Sequence, residues 1–107
     1  MTDISHELFK MQAEFCKGLA HPKRIMILHV LKEGEKTVNE LEAKTGIPQS
    51  NLSQHLSFLR QQGLVKARRE GNNVYYSLAD WKIAEACELI LQAIKERLER
   101  MQQAIQE

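Results

Sequence analysis

The residues best suited to chemistry in this 107-residue chain form a polar run at positions 49–55. A helix that buries Leu52 and Leu56 would expose the rest of this run, which contains no acidic residue. Amide side chains can pair with adenine in the major groove, and Ser and His can bind base edges or phosphates. The N–H groups of a helix N-terminus also favour phosphate. We therefore predict a double-stranded-DNA surface formed by Gln49, Ser50, Asn51, Ser53, Gln54 and His55.

A second basic element follows this run. Arg68 and Arg69 precede the turn sequence Gly71-Asn72-Asn73, and arginine is favoured in the minor groove and at the backbone. The chain carries a net charge of only +1, but residues 48–76 hold four basic side chains against one acidic one. We predict that Arg68, Arg69 and Asn73 also contact DNA.

The chain contains two cysteines, Cys16 and Cys87, which are its candidate effector-sensing residues. If their Cα atoms come within about 4.4–6.8 Å, oxidation can link them, and a polysulfide bridge spans a longer gap. Soft thiolates also suit arsenite-like metalloids. Both cysteines can instead be small buried hydrophobes. The four histidines show no metal-ligand spacing, so we predict no metal site and no cofactor.

The apolar pattern predicts the elements that position these residues. Ile4, Leu8, Met11 and Phe15 form one helical stripe, and a second, central core helix begins at Pro22 and ends near Lys32. Thr37 and Glu40 form a capping box for a third helix, 38–44, and a fourth helix spans about 49–62. Residues 64–70 and 74–78 predict a β-hairpin.

The last helix, from about residue 80 onward, carries a heptad stripe that is too long to be buried within one small domain. Its apolar residues are Ile83, Cys87, Ile90, Ile94, Leu98, Met101 and Ile105. We therefore expect a homodimer formed through the terminal helices, 1–19 and 80–107. The chain lacks a secretory signal and an apolar stretch long enough for a bilayer, which predicts a cytoplasmic protein with no membrane partner.

These elements predict one domain, 1–107, that is mainly α with a small β-hairpin. Its order is α-α-α-α-β-β-α, with a helix-turn-helix at 37–62 and a wing at 64–78. This arrangement is a winged helix-turn-helix. An enzyme is disfavoured because no phosphate loop, nucleophile elbow or paired carboxylates occur. A winged helix that docks proteins would expose apolar or acidic side chains along the fourth helix, and the outward residues of 49–55 include none. One that binds RNA would expose aromatic side chains for base stacking, whereas Tyr75 and Tyr76 lie on a strand, where at least one should be packed.

Four segments resemble the ArsR/SmtB family of repressors. Residues 17–28 are similar to the family's alanine-x-proline-x-arginine-x-x-isoleucine-leucine motif, and residues 50–56 to its recognition helix. Residues 62–65 and 71–78 resemble its wing. The resemblance implies a dimeric repressor of operator DNA that is released by a metal ion, a metalloid or a thiol-reactive signal.

The family's metal ligands are missing from this chain. Its thiolate site requires cysteines around residues 38–41, which read Val-Asn-Glu-Leu, and its interhelical zinc site requires a histidine early in the last helix, where Asp80 is followed by Trp81 and Lys82. Cys16 and Cys87 remain. Three hypotheses for their role therefore stay open. An oxidant or persulfide releases the repressor through these cysteines, a metalloid releases it through the same cysteines, or both cysteines only pack. The two positions differ from those used by family members that sense sulfide or oxidants.

Overall fold

A computed structural model describes residues 3–106, with side chains from Ser5 onward; residues 1, 2 and 107 of the predicted domain and the predicted stripe position of Ile4 lie outside it. The elements occur in the predicted order, with one additional strand before the third helix. They are α1 (Asp3–Leu19), α2 (Pro22–Leu31), β1 (Lys36–Thr37), α3 (Val38–Thr45), α4 (Gln49–Gln61), β2 (Val65–Glu70), β3 (Asn73–Leu78) and α5 (Trp81–Gln106).

The central helix of the core is α2, as predicted. Pro22 occupies its first turn, where the missing N–H leaves no bond unmade. The His21 side chain caps it by accepting a hydrogen bond from the backbone N–H of Lys23. Around α2 the fully buried side chains are Ile27, Leu28, Leu31, Leu41, Leu52, Leu56 and Leu59. The core is thus built by α2, α3 and α4, which fixes the orientation of α4.

The helix-turn-helix consists of α3 and α4. Thr37 accepts from the backbone N–H of Glu40, and the Glu40 carboxylate accepts from that of Thr37, so the predicted capping box starts α3. Gly46 ends α3, and Ile47 anchors the turn in the core. The short connection brings α4 against α3.

The wing is a three-stranded antiparallel sheet in the order β1-β3-β2. Glu70 pairs with Asn73, which leaves a two-residue loop at Gly71 and Asn72. The φ angle of Gly71 is 63°, as the first central position of a type II′ hairpin turn requires. The hairpin was predicted, but β1, which pairs Lys36 with Tyr76 and Thr37 with Tyr75, was not.

The terminal helices leave much of their apolar surface exposed. The first half of α5 packs on the core through Ala84, Ile83 and Cys87. Its second half exposes a stripe consisting of Ile90, Ile94, Leu98, Met101 and Ile105. On α1, Leu8, Phe9 and Met11 are also exposed. None of the helices described here combines the length and apolar character that a bilayer span requires.

Candidate nucleic-acid interface

The N-terminus of α4 carries no negative charge. Pro48 occupies the cap position without a side-chain hydrogen bond, and the first turn contains no acidic residue. The Pro48 carbonyl accepts from the N–H groups of Asn51 and Leu52 at 3.0 and 2.9 Å. The positive end of the helix dipole is therefore not neutralised from within α4, which suits an approaching phosphate.

Four of the six predicted DNA-facing side chains of α4 are exposed: Gln49, Ser50, Ser53 and Gln54. Asn51 is half-buried. The Gln49 amide is already engaged, since its Nε2 donates to Asn39 Oδ1 at 2.5 Å and to Glu42 Oε1 at 3.1 Å. Gln49 thus ties α4 to α3, while the other exposed members of the run keep their polar groups towards the outside.

The prediction that His55 faces outward is wrong. His55 is 8% exposed and lies on the inner side of α4. Its ring centroid is 4.6 Å from that of His21, and its Nδ1 accepts from Arg24 Nε at 3.2 Å. Position 55 lies three residues after Leu52 and four residues before Leu59, so helical periodicity itself puts His55 on the leucine face. Burial, followed by the charges of His21, Arg24 and Lys23, lowers the pKa of His55.

Arg24 is a functional candidate that the sequence analysis did not select. Its guanidinium lies 3.6 Å from the centroid of the Phe58 ring and donates to the backbone carbonyl of Gly18 as well as to His55. Arg24 therefore joins the end of α1 to α4. An arginine within the apolar run of α2 was the available signal, because a cation at such a position needs buried partners.

The two wing arginines occupy different environments. Arg68 Nη2 lies 2.5 Å from Glu35 Oε1, Arg68 Nη1 pairs with Glu70, and the guanidinium is 4.6 Å from the centre of the Tyr75 ring. The hydrogen bond from Arg68 lowers the pKa of Glu35. Arg69 forms no ion pair with any side chain from Ser5 to Gln106. Asn73, across the hairpin turn, is exposed.

The two cysteines are free thiols in different environments. Cys16 is exposed on α1, and Cys87 is half-buried on α5. Burial, and after it the negative charge of Cys16, raises the pKa of the Cys87 thiol. Cys16 therefore lies on one terminal helix and Cys87 on the other, and the more exposed of the two thiols is Cys16.

The residues present do not fit the metal sites of the resembled family. Within the described part of the chain, no three His, Cys, Asp or Glu side chains gather into a cluster that could hold a metal ion. The nearest acid–imidazole pair is His29 Nδ1 and Glu88 Oε2, 2.8 Å apart between α2 and α5.

Comparison with known proteins gives consistent matches. The family model described as bacterial regulatory protein, arsR family, matches residues 21–67. The HTH-type transcriptional regulator Rv0081 of Mycobacterium tuberculosis is 51% identical over 82 residues, which are 76% of this chain and 72% of that protein. The crystal structure of Rv0081 superposes with a TM-score of 0.75 at 44% identity and covers 88% of this chain and 95% of its own.

Two further solved structures are similar. The transcriptional repressor BigR from Xylella fastidiosa has a TM-score of 0.75 and 37% identity, over 87% of this chain and 96% of its own. The homodimeric winged helix-turn-helix DNA-binding domain of Mb0332 from Mycobacterium bovis has a TM-score of 0.76 and 34% identity, over 94% of this chain and 93% of its own. Family and relatives are transcriptional regulators rather than enzymes, and this chain belongs to the ArsR family of DNA-binding, winged helix-turn-helix regulators.

Proposed function

We propose that this chain is a cytoplasmic repressor that binds operator DNA as a homodimer, with α4 in the major groove and the tip of the wing at the adjacent backbone or minor groove. The observation that carries the proposal is the exposed, acid-free polar front of α4. Ser50, Ser53 and Gln54 are exposed there, above a rigid leucine face. Asn51 lies at the margin of this front, and Gln49 contributes by orienting α4 against α3.

The exposed apolar stripes support the homodimer. Ile90, Leu98 and Met101 on α5 are each more than half exposed, as are Leu8 and Met11 on α1. Soluble monomers rarely expose contiguous apolar surface of this extent. The similar domain of Mb0332 is homodimeric. A dimer presents two copies of α4, which read two half-sites separated by about one helical turn of DNA.

A pair of glutamines on α4 tests the DNA-binding surface. Gln54 lies on the polar front, whereas Gln61, equally exposed, ends the helix. Each base contact by an amide contributes about 1–3 kcal/mol of discrimination. Gln54→Ala should therefore weaken binding about 5- to 150-fold to a duplex selected from a random-sequence pool. Gln61→Ala is the matched control and should leave the dissociation constant within about two-fold. Equal effects of the two substitutions in a fluorescence-anisotropy titration would contradict this assignment.

We further propose that a thiol-reactive signal releases the DNA through Cys16 and Cys87. The exposed Cys16 reacts first: its thiolate attacks a peroxide, the O–O bond breaks, and a sulfenic acid and water form. The Cys87 thiol then attacks the Cys16 sulfur, and a second water leaves as the disulfide forms. Two thiols have then supplied the two electrons that reduce one peroxide to two waters. Polysulfide would give a longer sulfur bridge.

The position of Cys16 links this reaction to DNA binding. Cys16 lies two residues before Gly18, whose carbonyl accepts from Arg24 and where a Cβ atom would lie only 2.8 Å from Phe58 of α4. Drawing the end of α1 towards Cys87 on α5 would therefore disturb the contacts that hold α4.

Cysteine variants test the thiol switch. After treatment with peroxide, sodium tetrasulfide or arsenite, the mass of the intact protein identifies the modification, and anisotropy reports DNA affinity. Wild type should lose 2 Da per chain with peroxide and release the DNA, while Cys16→Ser and Cys87→Ser should keep binding. A gain in mass with arsenite, and no change in mass with peroxide or tetrasulfide, would favour metalloid binding. Unaltered release from the double serine variant would show that the cysteines only pack.

A further inference from the structure

A cluster of two histidines and one arginine holds α4 where it meets α1 and α2. Arg24 Nε donates to His55 Nδ1 at 3.2 Å, and the His21 and His55 rings are 4.6 Å apart. The same guanidinium donates to the Gly18 carbonyl and stacks on Phe58. Three helices therefore meet at one side chain, and two of its contacts, His55 and Phe58, belong to α4.

The hydrogen bonds show which ring nitrogen of each imidazole acts as an acceptor. His55 Nδ1 accepts from Arg24, and His21 Nδ1 accepts from the backbone N–H of Lys23 at 3.3 Å. A ring nitrogen that accepts a hydrogen bond carries no proton, so His55 in this arrangement is neutral, with its proton on Nε2. Protonation at Nδ1 would remove both acceptors and would set an imidazolium N–H against the guanidinium.

Among the residues that the structure describes, no acidic side chain near His55 compensates the positive charge of a protonated His55 ring. The charged and titratable groups that face His55 are His21, Lys23 and Arg24, all from the start of α2 and all basic. From α1 the cluster receives the Gly18 carbonyl, and Glu7, Lys10 and Glu14 line a groove to which Gly18 and Phe58 also contribute. Among side chains from Ser5 to Gln106, neither Arg24 nor His55 forms an ion pair with a carboxylate.

We propose that His21, His55 and Arg24 form an acid-sensitive positioning cluster: protonation of His55 releases α4 from Arg24, and DNA affinity falls as the pH drops below neutrality. The inference rests on the proposed DNA-binding role of α4. Because burial and its basic neighbours lower the pKa of His55 below 6.5, its contribution to the docked arrangement is complete above that value. The contribution is lost as the pH falls from 6.5 through the lowered pKa. The apparent affinity then falls with the docked fraction.

The expected direction distinguishes this cluster from general electrostatics. Acidification adds positive charge to every accessible histidine, which by itself strengthens binding to phosphates. A cluster that must be neutral to hold α4 has the opposite effect. The sign of the pH dependence is therefore diagnostic.

The experiment compares the wild type with His21→Asn/His55→Asn. Asparagine offers a carbonyl acceptor that does not titrate, and it is a preferred N-cap residue for α2. The control is His29→Asn, which removes an exposed histidine of the same helix that is bonded to Glu88. Between about pH 7.5 and about pH 5.5, the wild type and the control should lose about ten-fold in affinity for the selected duplex. The double variant should lose none.

The outcomes separate the two proposals. A wild-type protein that does not bind the duplex at about pH 7.5 contradicts the proposed function. Binding there that stays constant or strengthens on acidification overturns the cluster proposal alone. The cluster proposal is also overturned if acidification reduces the helix signal in circular dichroism equally in the wild type and in the double variant.

Histidine side-chain ¹⁵N spectra of the DNA-free wild type give an independent readout that needs no variant to fold. They should show the Nε2–H tautomer for His21 and His55, with His55 titrating below 6.5. An Nδ1–H tautomer for His55 would contradict the cluster.

Discussion

At the scale of single residues, the wing shows how two sequence neighbours acquire different roles. Successive strand residues point to opposite faces, so Arg68 shares a face with Tyr75 and Glu70, while Arg69 shares the other with its partner Val74. Arg68 is paired with Glu35 and Glu70, and its charge is largely balanced. Arg69, without an ion pair among the described side chains, is the arginine available to phosphate.

Substituting the two wing arginines separately tests this difference. Arg69→Ala should weaken binding to all duplexes alike and reduce the slope of log affinity against log salt by about one unit, because one phosphate contact is lost. Arg68→Ala, the matched control, removes an arginine that is already paired with Glu35 and Glu70, so it should change that slope much less. Titrations at three salt concentrations measure both slopes. Equal slopes for the two variants would show that Arg68 leaves its acidic partners to bind DNA.

The polar front of α4 could be predicted from the sequence, but its limits could not. Residue type identified Ser50, Ser53 and Gln54, which are exposed. His55 was misplaced because residue type was weighted above helical phase; position 55 belongs to the leucine face whatever its polarity. Arg24 was missed because its partners Gly18, His55 and Phe58 come from two other helices. Side-chain contacts over 31 residues of separation leave no local signature.

At the scale of elements, the sequence predicted a boundary correctly wherever the interaction that determines it acts within a few residues. The capping box at Thr37, the proline at the start of α2 and the turn at Gly71 each specify a boundary through their own chemistry. The two-residue strand β1 was missed because Lys36 and Thr37 carry no alternating pattern and pair with β3 from a distance. Pairing of so short a strand is determined by tertiary structure.

The contact between α1 and α4 likewise depends on a partner element. A Cβ atom at Gly18 would lie 2.8 Å from Cζ of Phe58, so glycine permits the close approach of α1 to α4. Gly18 lies inside α1, which continues to Leu19. The residue serves packing between helices rather than termination.

At the scale of the whole molecule, the exposed stripe of α5 should form the dimer interface. Leu98→Glu places a charge on this stripe in both copies; removing two buried leucines costs about 3–6 kcal/mol, so dimerisation should weaken at least about 100-fold. Gln92→Glu introduces the same charge on the opposite face of α5 and is the matched control. Sedimentation velocity over a dilution series measures both. A Leu98→Glu protein that stays as dimeric as the control would show that the stripe is not the interface.

The length of α5 has a geometric consequence for recognition. Its 26 residues extend over about 39 Å, and the two DNA-reading units of a dimer would be joined through such rods. A change of about 5° in the angle between two rods of this length moves their far ends by about 3 Å, which is close to the rise of one base pair. A rearrangement too small to change the structure of either DNA-binding unit would therefore alter the spacing between the two units. Both units would stay folded, but only one at a time would match its half-site in a palindromic sequence.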